Sequence, residues 1–510
     1  MVATAQLLPA EHCRHGTADI SSAISDYRQT RKTRCQRNYI GVVSLPKWKA
    51  MLTLLETTDI VPRFTRSRSR HFDVMVGHRF WMLRSRWLAA LFFFAILLRL
   101  GYFWAVHDGP LGNADSLAYE ELAQKLLSHQ PYSTTAHTGA GGFPGDLQRP
   151  PGYPAFLAGV NVLLGPSRTH TALVQCVLSA TFAVVLAVLV AAFTTEATGL
   201  LAGLLYAVDW ATIIHVPLTV ADTLSAVLLG TAIGLFALSM VTRRGSLALA
   251  AGFFLGAAAL VKPVGQVVVF AFLLGWVLQE KRRTTGLLFL LSYLVCVAPW
   301  MIRNYQHHGL ATLSAIGTVD LYFYVAEASA NPQSVTDFSG LNLNNEVTRI
   351  SNDWSRRPMS PVERKRVMEQ KALALIARHW PTVAYQSAVG FSRTCFGPGS
   401  ITVANSMPKG PSRAAKVLLV VLPLLQVLTL WFLAVIGAIG FNSGNITRAV
   451  RVMLVACVIL LVLPASASLG QSRYRVPAVP ALAILGAIGG TTLIERRRCL
   501  LLHARSKPRA

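Results

Sequence analysis

The chain has 510 residues, of which 53% are hydrophobic and 14% charged, and its mean hydropathy is +0.45. Soluble domains carry about 25% charged residues, so this composition excludes an ordinary soluble enzyme, and its plentiful apolar residues exclude disorder over most of its length. The 48 Lys and Arg against 23 Asp and Glu leave a net charge of +25. That excess fits the basic inner loops and tails of a polytopic membrane protein rather than a nucleic-acid surface. The seven cysteines show no CxxC or Cys/His ligand spacing, and neither a metal site nor a disulfide framework is read from them.

Residues 1–87 hold 15 Lys and Arg against 6 Asp and Glu, with no long apolar run and no signal-peptide pattern. Such a segment cannot offset its chain entropy by burial and reads as a disordered basic tail, with a lipid-binding arm as the alternative. From Leu88 onward, apolar runs recur at lengths suited to a bilayer, which takes about 20 helical residues to cross. They predict an all-α polytopic protein with spans near 88–106, 171–193, 199–215, 223–241, 246–261, 264–279, 285–301, 415–440, 452–470 and 476–494. The membrane domain is then 88–494, followed by a basic tail over 495–510.

Basic residues test the topology. With the N-terminus inside, the inner connections contain Arg243 and Arg244, Lys281 to Arg283, and Arg448 and Arg451, and the C-terminal tail is also basic. This supports both termini inside. Two long segments, about 107–150 and 302–414, then lie outside, the second with helix-like stretches at 361–379 and 381–392. The apolar piece 153–164 is too short to cross and reads as interfacial or re-entrant.

Cations at outer span ends break the usual charge rule. They are Arg149 before Pro150-Pro151-Gly152-Tyr153-Pro154, Lys262 before Pro263, Arg303 after Trp300 and before Asn304, and Arg473 and Arg475 around Tyr474. Interfacial arginines can snorkel to headgroups. Their convergence on one face instead suggests an anion site, most naturally for phosphate. Asp115 precedes an amphipathic stripe through Tyr119, so it reads either as a helix cap or as a catalytic carboxylate. Asp222 at the mouth of a span has the same two readings. Asp209 is a weaker candidate that could pair internally.

Taken in order, Asp115 with Tyr119, Arg149-Pro-Pro-Gly-Tyr-Pro, Leu260-Val-Lys-Pro, Pro299-Trp-Met-Ile-Arg-Asn and Arg473-Tyr-Arg-Val-Pro resemble glycosyltransferase family 39. This is a family of integral membrane enzymes in the C-type superfamily that includes protein O-mannosyltransferases and lipid A aminoarabinose transferases. The resemblance covers about residues 88–494. It implies a bacterial plasma-membrane enzyme that moves a sugar from a polyprenyl monophosphate to an acceptor hydroxyl on a protein, glycolipid or glycan outside the cytoplasm. It further implies Asp115 and Asp222 as the catalytic acids, and Arg149, Lys262, Arg303, Arg473 and Arg475 as donor-phosphate ligands. Tyr119, Tyr153, Trp300, Asn304 and Tyr474 would line the substrate cavity. Two departures stand out: Asp222 lies where Glu is common in the pattern, and Lys262 where Arg is. A phosphate leaving group can be neutralised by Arg and Lys, so the reading requires neither metal nor other cofactor.

A transporter or flippase is the competing class, but no inverted repeat is visible and the charges gather at one surface. Deleting residues before Met82 should leave insertion and turnover intact; loss of activity at normal expression, measured on purified membranes, would give the tail a function.

Overall fold

A computed structural model describes residues 85–133, 142–279, 283–330, 352–354, 356–399, 402–403, 406, 413–440, 447–464 and 470–505. Residues 1–84 of the expected tail over 1–87, the basics Lys281 and Arg282 expected in an inner loop, and much of the segment 302–414 expected on the outer side are not among them, whereas residues 85–87 already belong to the first helix. Among the described residues, those up to Ile494 form one unit, and the last turns from Glu495 fall outside it.

Every apolar run expected to span is helical along most of its length. The helices are α1 (Ser85–Val106), α5 (Arg168–Phe193), α6 (Glu196–Ala207) continued after a break by α7 (Trp210–His215), α8 (Asp222–Thr242) and α9 (Gly245–Val261). A 3-10 turn Pro263–Val267 leads into α10 (Val268–Val277), then come α11 (Arg283–His308), α15 (Arg413–Ile439) and α16 (Arg448–Val462). A second 3-10 turn, Ser472–Ala478, leads into α17 (Val479–Arg505). Among the described residues six of these are long and apolar enough to cross a membrane, so the chain is an all-α integral membrane protein. Pro263 and Pro477 sit in the 3-10 turns, where a missing N–H disturbs little.

Four shorter helices and a turn gather at one end of the bundle. These are α2 (Ala114–Leu127), the single turn α3 (Gly145–Gln148), α4 (Gly152–Leu164), and α12 (Ile316–Val319), which passes into a π-helical stretch Asp320–Glu327. The 13-residue α4 matches the short piece expected at 153–164, and its last turn leaves Leu163 81% exposed. The two outer helices expected near 361–379 and 381–392 are α13 (Pro361–Arg378) and α14 (Trp380–Phe396). With the π-helical stretch, α13 encloses a small separate core around Trp354, Phe323, Met368 and Ala372.

Lipid supplies no hydrophobic drive between helices, so close packing of small residues and aromatic interdigitation hold the bundle. Phe236 of α8, Phe272 of α10 and Phe289 of α11 meet with ring centroids 4.8–5.1 Å apart. Gly252 lets α9 lie against the carbonyl of Phe289. Cys176, Cys296, Cys395 and Cys457 are free thiols.

Gly152 fixes where the Arg149 segment sits. A Cβ there would lie 2.8 Å from the carbonyl oxygen of Leu260, two residues before Lys262. Gly152→Ala should therefore cost about 1–3 kcal/mol as overpacking; thermal unfolding in detergent unchanged from wild type would show that the two segments can part freely.

Candidate active site

Helix α2 begins with a cap that leaves its acid free. Asn113 Oδ1 accepts hydrogen bonds from the backbone N–H of Asp115 (3.0 Å) and Ser116 (3.3 Å), and Ser116 Oγ accepts in return from Asn113 N at 2.9 Å. Capping is thus done by Asn113 and Ser116, a reciprocal box. Asp115, one residue into the helix, turns elsewhere. Asp222 likewise makes no capping bond in the first turn of α8. Asp209 does cap: its Oδ1 accepts from Thr212 N at 2.9 Å and starts α7.

The two freed carboxylates share three cations. Arg149 Nη2 donates to Asp115 Oδ1 at 2.6 Å, and Arg473 Nη2 to Asp115 Oδ2 at 3.0 Å. Arg473 turns its Nε to Asp222 Oδ2 at 2.8 Å, and Lys262 Nζ pairs with Asp222 Oδ1. The chain of contacts Arg149–Asp115–Arg473–Asp222–Lys262 carries three positive and two negative charges. It brings the start of α2, the segment before α4, the start of α8, the end of α9 and the last 3-10 turn to one end of the bundle.

Aromatic faces line the cations. The Arg149 guanidinium lies 5.4 Å from the Tyr119 ring centroid, and Lys262 Nζ 5.5 Å from that of Tyr474. Tyr119 meets Tyr153 edge to face at 4.9 Å, and Tyr153 donates its hydroxyl to Gln175 Oε1 at 3.2 Å. Tyr153 is fully buried, so it packs behind the cluster rather than facing an open cavity.

Asp115 and Asp222 differ in access. The Asp222 side chain is wholly enclosed, whereas Asp115 is 29% exposed. Burial pushes the Asp115 carboxyl up, but Arg149 and Arg473 outweigh it and hold it at about 2.

The remaining residues expected at the site are placed differently. Arg475 is buried and points away: its Nη1 donates to the carbonyls of Thr394 (3.0 Å) and Cys395 (2.9 Å). It satisfies the open carbonyls that end α14, a role for which a guanidinium suits a helix C-terminus. Arg303 pairs with Asp146 Oδ2 at 2.6 Å and lies 4.9 Å from the Trp300 ring centroid. The same Asp146 oxygen meets His308 Nε2 at 2.9 Å. Trp300 Nε1 donates to Leu313 O at 3.0 Å and Asn304 Nδ2 to Thr312 O at 2.8 Å, so both residues pin the chain after α11. Tyr132, whose carbonyl accepts from Arg303 Nη2 at 3.3 Å, donates its own hydroxyl to Arg149 O at 3.0 Å. Arg303 therefore braces the backbone that presents Arg149, through Asp146 and Tyr132, two residues that carried no motif. Among the described residues no group of three or more His, Cys, Asp or Glu is placed to hold a metal ion.

Removing Asp222 leaves two buried cations with one partner fewer. Asp222→Ala should destabilise the fold by about 3–5 kcal/mol; a thermal or denaturant midpoint in detergent equal to wild type would show that the enclosed carboxylate does not hold the cluster.

Residues 148–302 match the family model described as dolichyl-phosphate-mannose-protein mannosyltransferase. The matched segment contains Arg149, Asp222 and Lys262. No curated protein sequence matches the chain significantly. Among solved structures, the chain is similar to the archaeal oligosaccharyltransferase AglB from Archaeoglobus fulgidus, in complex with an inhibitory peptide and a dolichol-phosphate. That likeness has a TM-score of 0.50 and 10% identity over 84% of this chain and 53% of the other, so the chain spans about half the length of the archaeal protein. It also matches ArnT from Cupriavidus metallidurans bound to undecaprenyl phosphate, with a TM-score of 0.36 and 15% identity over 80% and 78% of the two chains. The family match over 148–302 bears out the resemblance that the motifs carry, and the chain is a membrane protein similar to the glycosyltransferase family 39 type.

Proposed function

We propose that the protein is a membrane glycosyltransferase that moves a sugar from a polyprenyl-monophosphate donor to an acceptor hydroxyl outside the cytoplasm, with inversion. One observation carries the reading: Arg149, Lys262 and Arg473 converge at one end of the bundle on only two carboxylates, leaving one positive charge. A sugar phosphodiester carries one negative charge and matches that excess. Arg offers planar paired donors to phosphate oxygens, and Lys a point charge. A site at the end of the bundle lets the donor's isoprenoid tail stay in lipid while its phosphate reaches the cations. Ten crossings with both termini inside complete the proposed topology.

In the transfer, the acceptor oxygen attacks the anomeric carbon and the carbon–oxygen bond to phosphate breaks. The polyprenyl phosphate leaves as a dianion, and the hydroxyl proton passes to a carboxylate of the site. Arg149 and Arg473 stabilise the charge growing on the leaving phosphate, where preorganised donors contribute most. As the phosphate engages these guanidiniums it loosens their hold on Asp115, which is exposed enough to take the proton released by the incoming hydroxyl. Asp222 keeps Lys262 and Arg473 in register.

Membranes containing the protein, offered a panel of radiolabelled polyprenyl-phosphate sugars, should transfer label from one of them to a membrane or protein acceptor. Asp115→Asn should lower turnover by about 10²–10⁴-fold with donor affinity largely kept. Arg149→Ala should weaken donor binding and turnover together. No transfer from any donor, or near-native turnover by Asp115→Asn, would overturn the respective assignment.

A further inference from the structure

Helix α14 holds the turn that presents Arg473 with one side and leaves the other side bare. Gln386, Gly390 and Thr394 are buried and recur every four residues, so they form one stripe along the helix. Gln386 Oε1 accepts from Ser329 Oγ at 3.0 Å, and its Nε2 donates to Ala328 O at 3.1 Å. Those bonds tie α14 to the residues just after the π-helical stretch. Gly390 lies directly against Gly470 at the start of the last 3-10 turn. At the end of the same stripe the carbonyls of Thr394 and Cys395 take up Arg475, two residues beyond Arg473.

The opposite side carries Pro381, Ala384, Tyr385, Ala388 and Phe391, with Trp380 at its head, and no charged side chain. All six are exposed, Trp380 at 66% and Tyr385 at 71%. Scattered apolar residues are ordinary on a protein surface, but a continuous stripe at helical spacing marks a contact. Three observations name the occupant. First, the end of α14 is fastened to the spanning helix α15: Trp431 Nε1 donates to Cys395 O at 2.9 Å, and the Phe396 and Trp431 rings lie 6.1 Å apart. On α15 the neighbours Leu425, Leu428 and Phe432 are bare, as befits a helix flanked by lipid. Second, Trp and Tyr are the side chains that settle where acyl chains meet headgroups. Third, the exposed Arg378 in the last turn of α13, just before Trp380, sets a cation where headgroup phosphates would lie. A second copy of the chain fits poorly. With 17 residues, α14 offers a face of roughly 250 Å², well short of the about 800 Å² that each partner gives to a stable interface.

We propose that α14 lies in the membrane–water interface, with Trp380, Tyr385 and Phe391 set among phospholipid headgroups and the first part of the acyl chains. An amphipathic helix in this position sinks its apolar face about 5–10 Å into that boundary. The bilayer then backs the helix to which the Arg473 turn is fastened, and α14 is held between lipid on one side and the active-site end of the bundle on the other. This placement needs only a membrane protein, so it stands apart from the transfer chemistry.

Fluorescence of the full chain in phosphatidylcholine vesicles tests it. The emission that wild type has and Trp380→Phe lacks belongs to Trp380, and the substitution keeps an aromatic ring in place. That difference signal should fall by about half or more when the vesicle lipid is brominated near the headgroup end of its acyl chains, and acrylamide in the water should quench it several-fold less than free tryptophan. A second reading needs no substitution: a photoactivatable phosphatidylcholine should label the peptide that carries Tyr385 and Phe391. A Trp380 signal open to acrylamide and untouched by brominated lipid, or an α14 peptide without label, overturns the proposal. Shielding from acrylamide that grows with the protein-to-lipid ratio, without quenching by brominated lipid, gives the face to a second copy and overturns it equally.

Discussion

The bridge that Arg473 makes between Asp115 and Asp222 is the contact on which the site depends. A guanidinium presents several donors in a fixed plane, so one arginine can hold two carboxylates at once, 3.0 Å from one and 2.8 Å from the other. Each carboxylate takes a second cation, Arg149 or Lys262. Without the bridge there would be two separate ion pairs on different helices. With it, five segments of the chain share one electrostatic unit. Its charges are largely enclosed, and their mutual attraction has to offset the cost of removing them from water.

Around that unit the protein uses polar contacts chiefly for placement. Asn113 and Ser116 cap α2 and leave the Asp115 side chain available, and Ser116 Oγ donates to Thr219 O at 2.7 Å, tying α2 to the loop before α8. Gly152 allows the Arg149 segment to lie on the end of α9. Asp146, Arg303 and Tyr132 brace the same segment from the other side. Arg475, two residues beyond Arg473, closes the carbonyl end of α14. Neighbouring basic residues thus do different work: one belongs to the charge cluster and the other ends a helix.

Much of the helical layout was legible in the sequence. Apolar runs of bilayer length became helices, because in lipid each backbone polar group must be satisfied within its own segment. Several ends moved: α11 runs on to His308 rather than 301, α16 stops at Val462 rather than 470, and α17 runs on to Arg505 rather than 494. The helices near 361–379 and 381–392 and the short apolar piece at 153–164 were also readable in the sequence. The break between α6 and α7 was not, since Asp209 in an apolar run looks like an isolated charge until its bond to Thr212 N is seen. Nor was the π-helical stretch after α12, which depends on the packing of α13 and on hydrogen bonds to a segment far earlier in the chain.

For the site, the sequence determined which residue types stand at the span ends expected on one side of the membrane, and hence that cations and acids would meet near one surface. It left open whether Asp115 and Asp222 cap helices or face other charges, and it grouped Arg303 and Arg475 with Arg149, Lys262 and Arg473. The tertiary structure decided those points. Asp115 and Arg473 are 358 residues apart, and Asp222 and Arg473 are 251 apart. Pairing of charges depends on distance through space, and no local pattern encodes which of several similar side chains will lie within 3 Å of another.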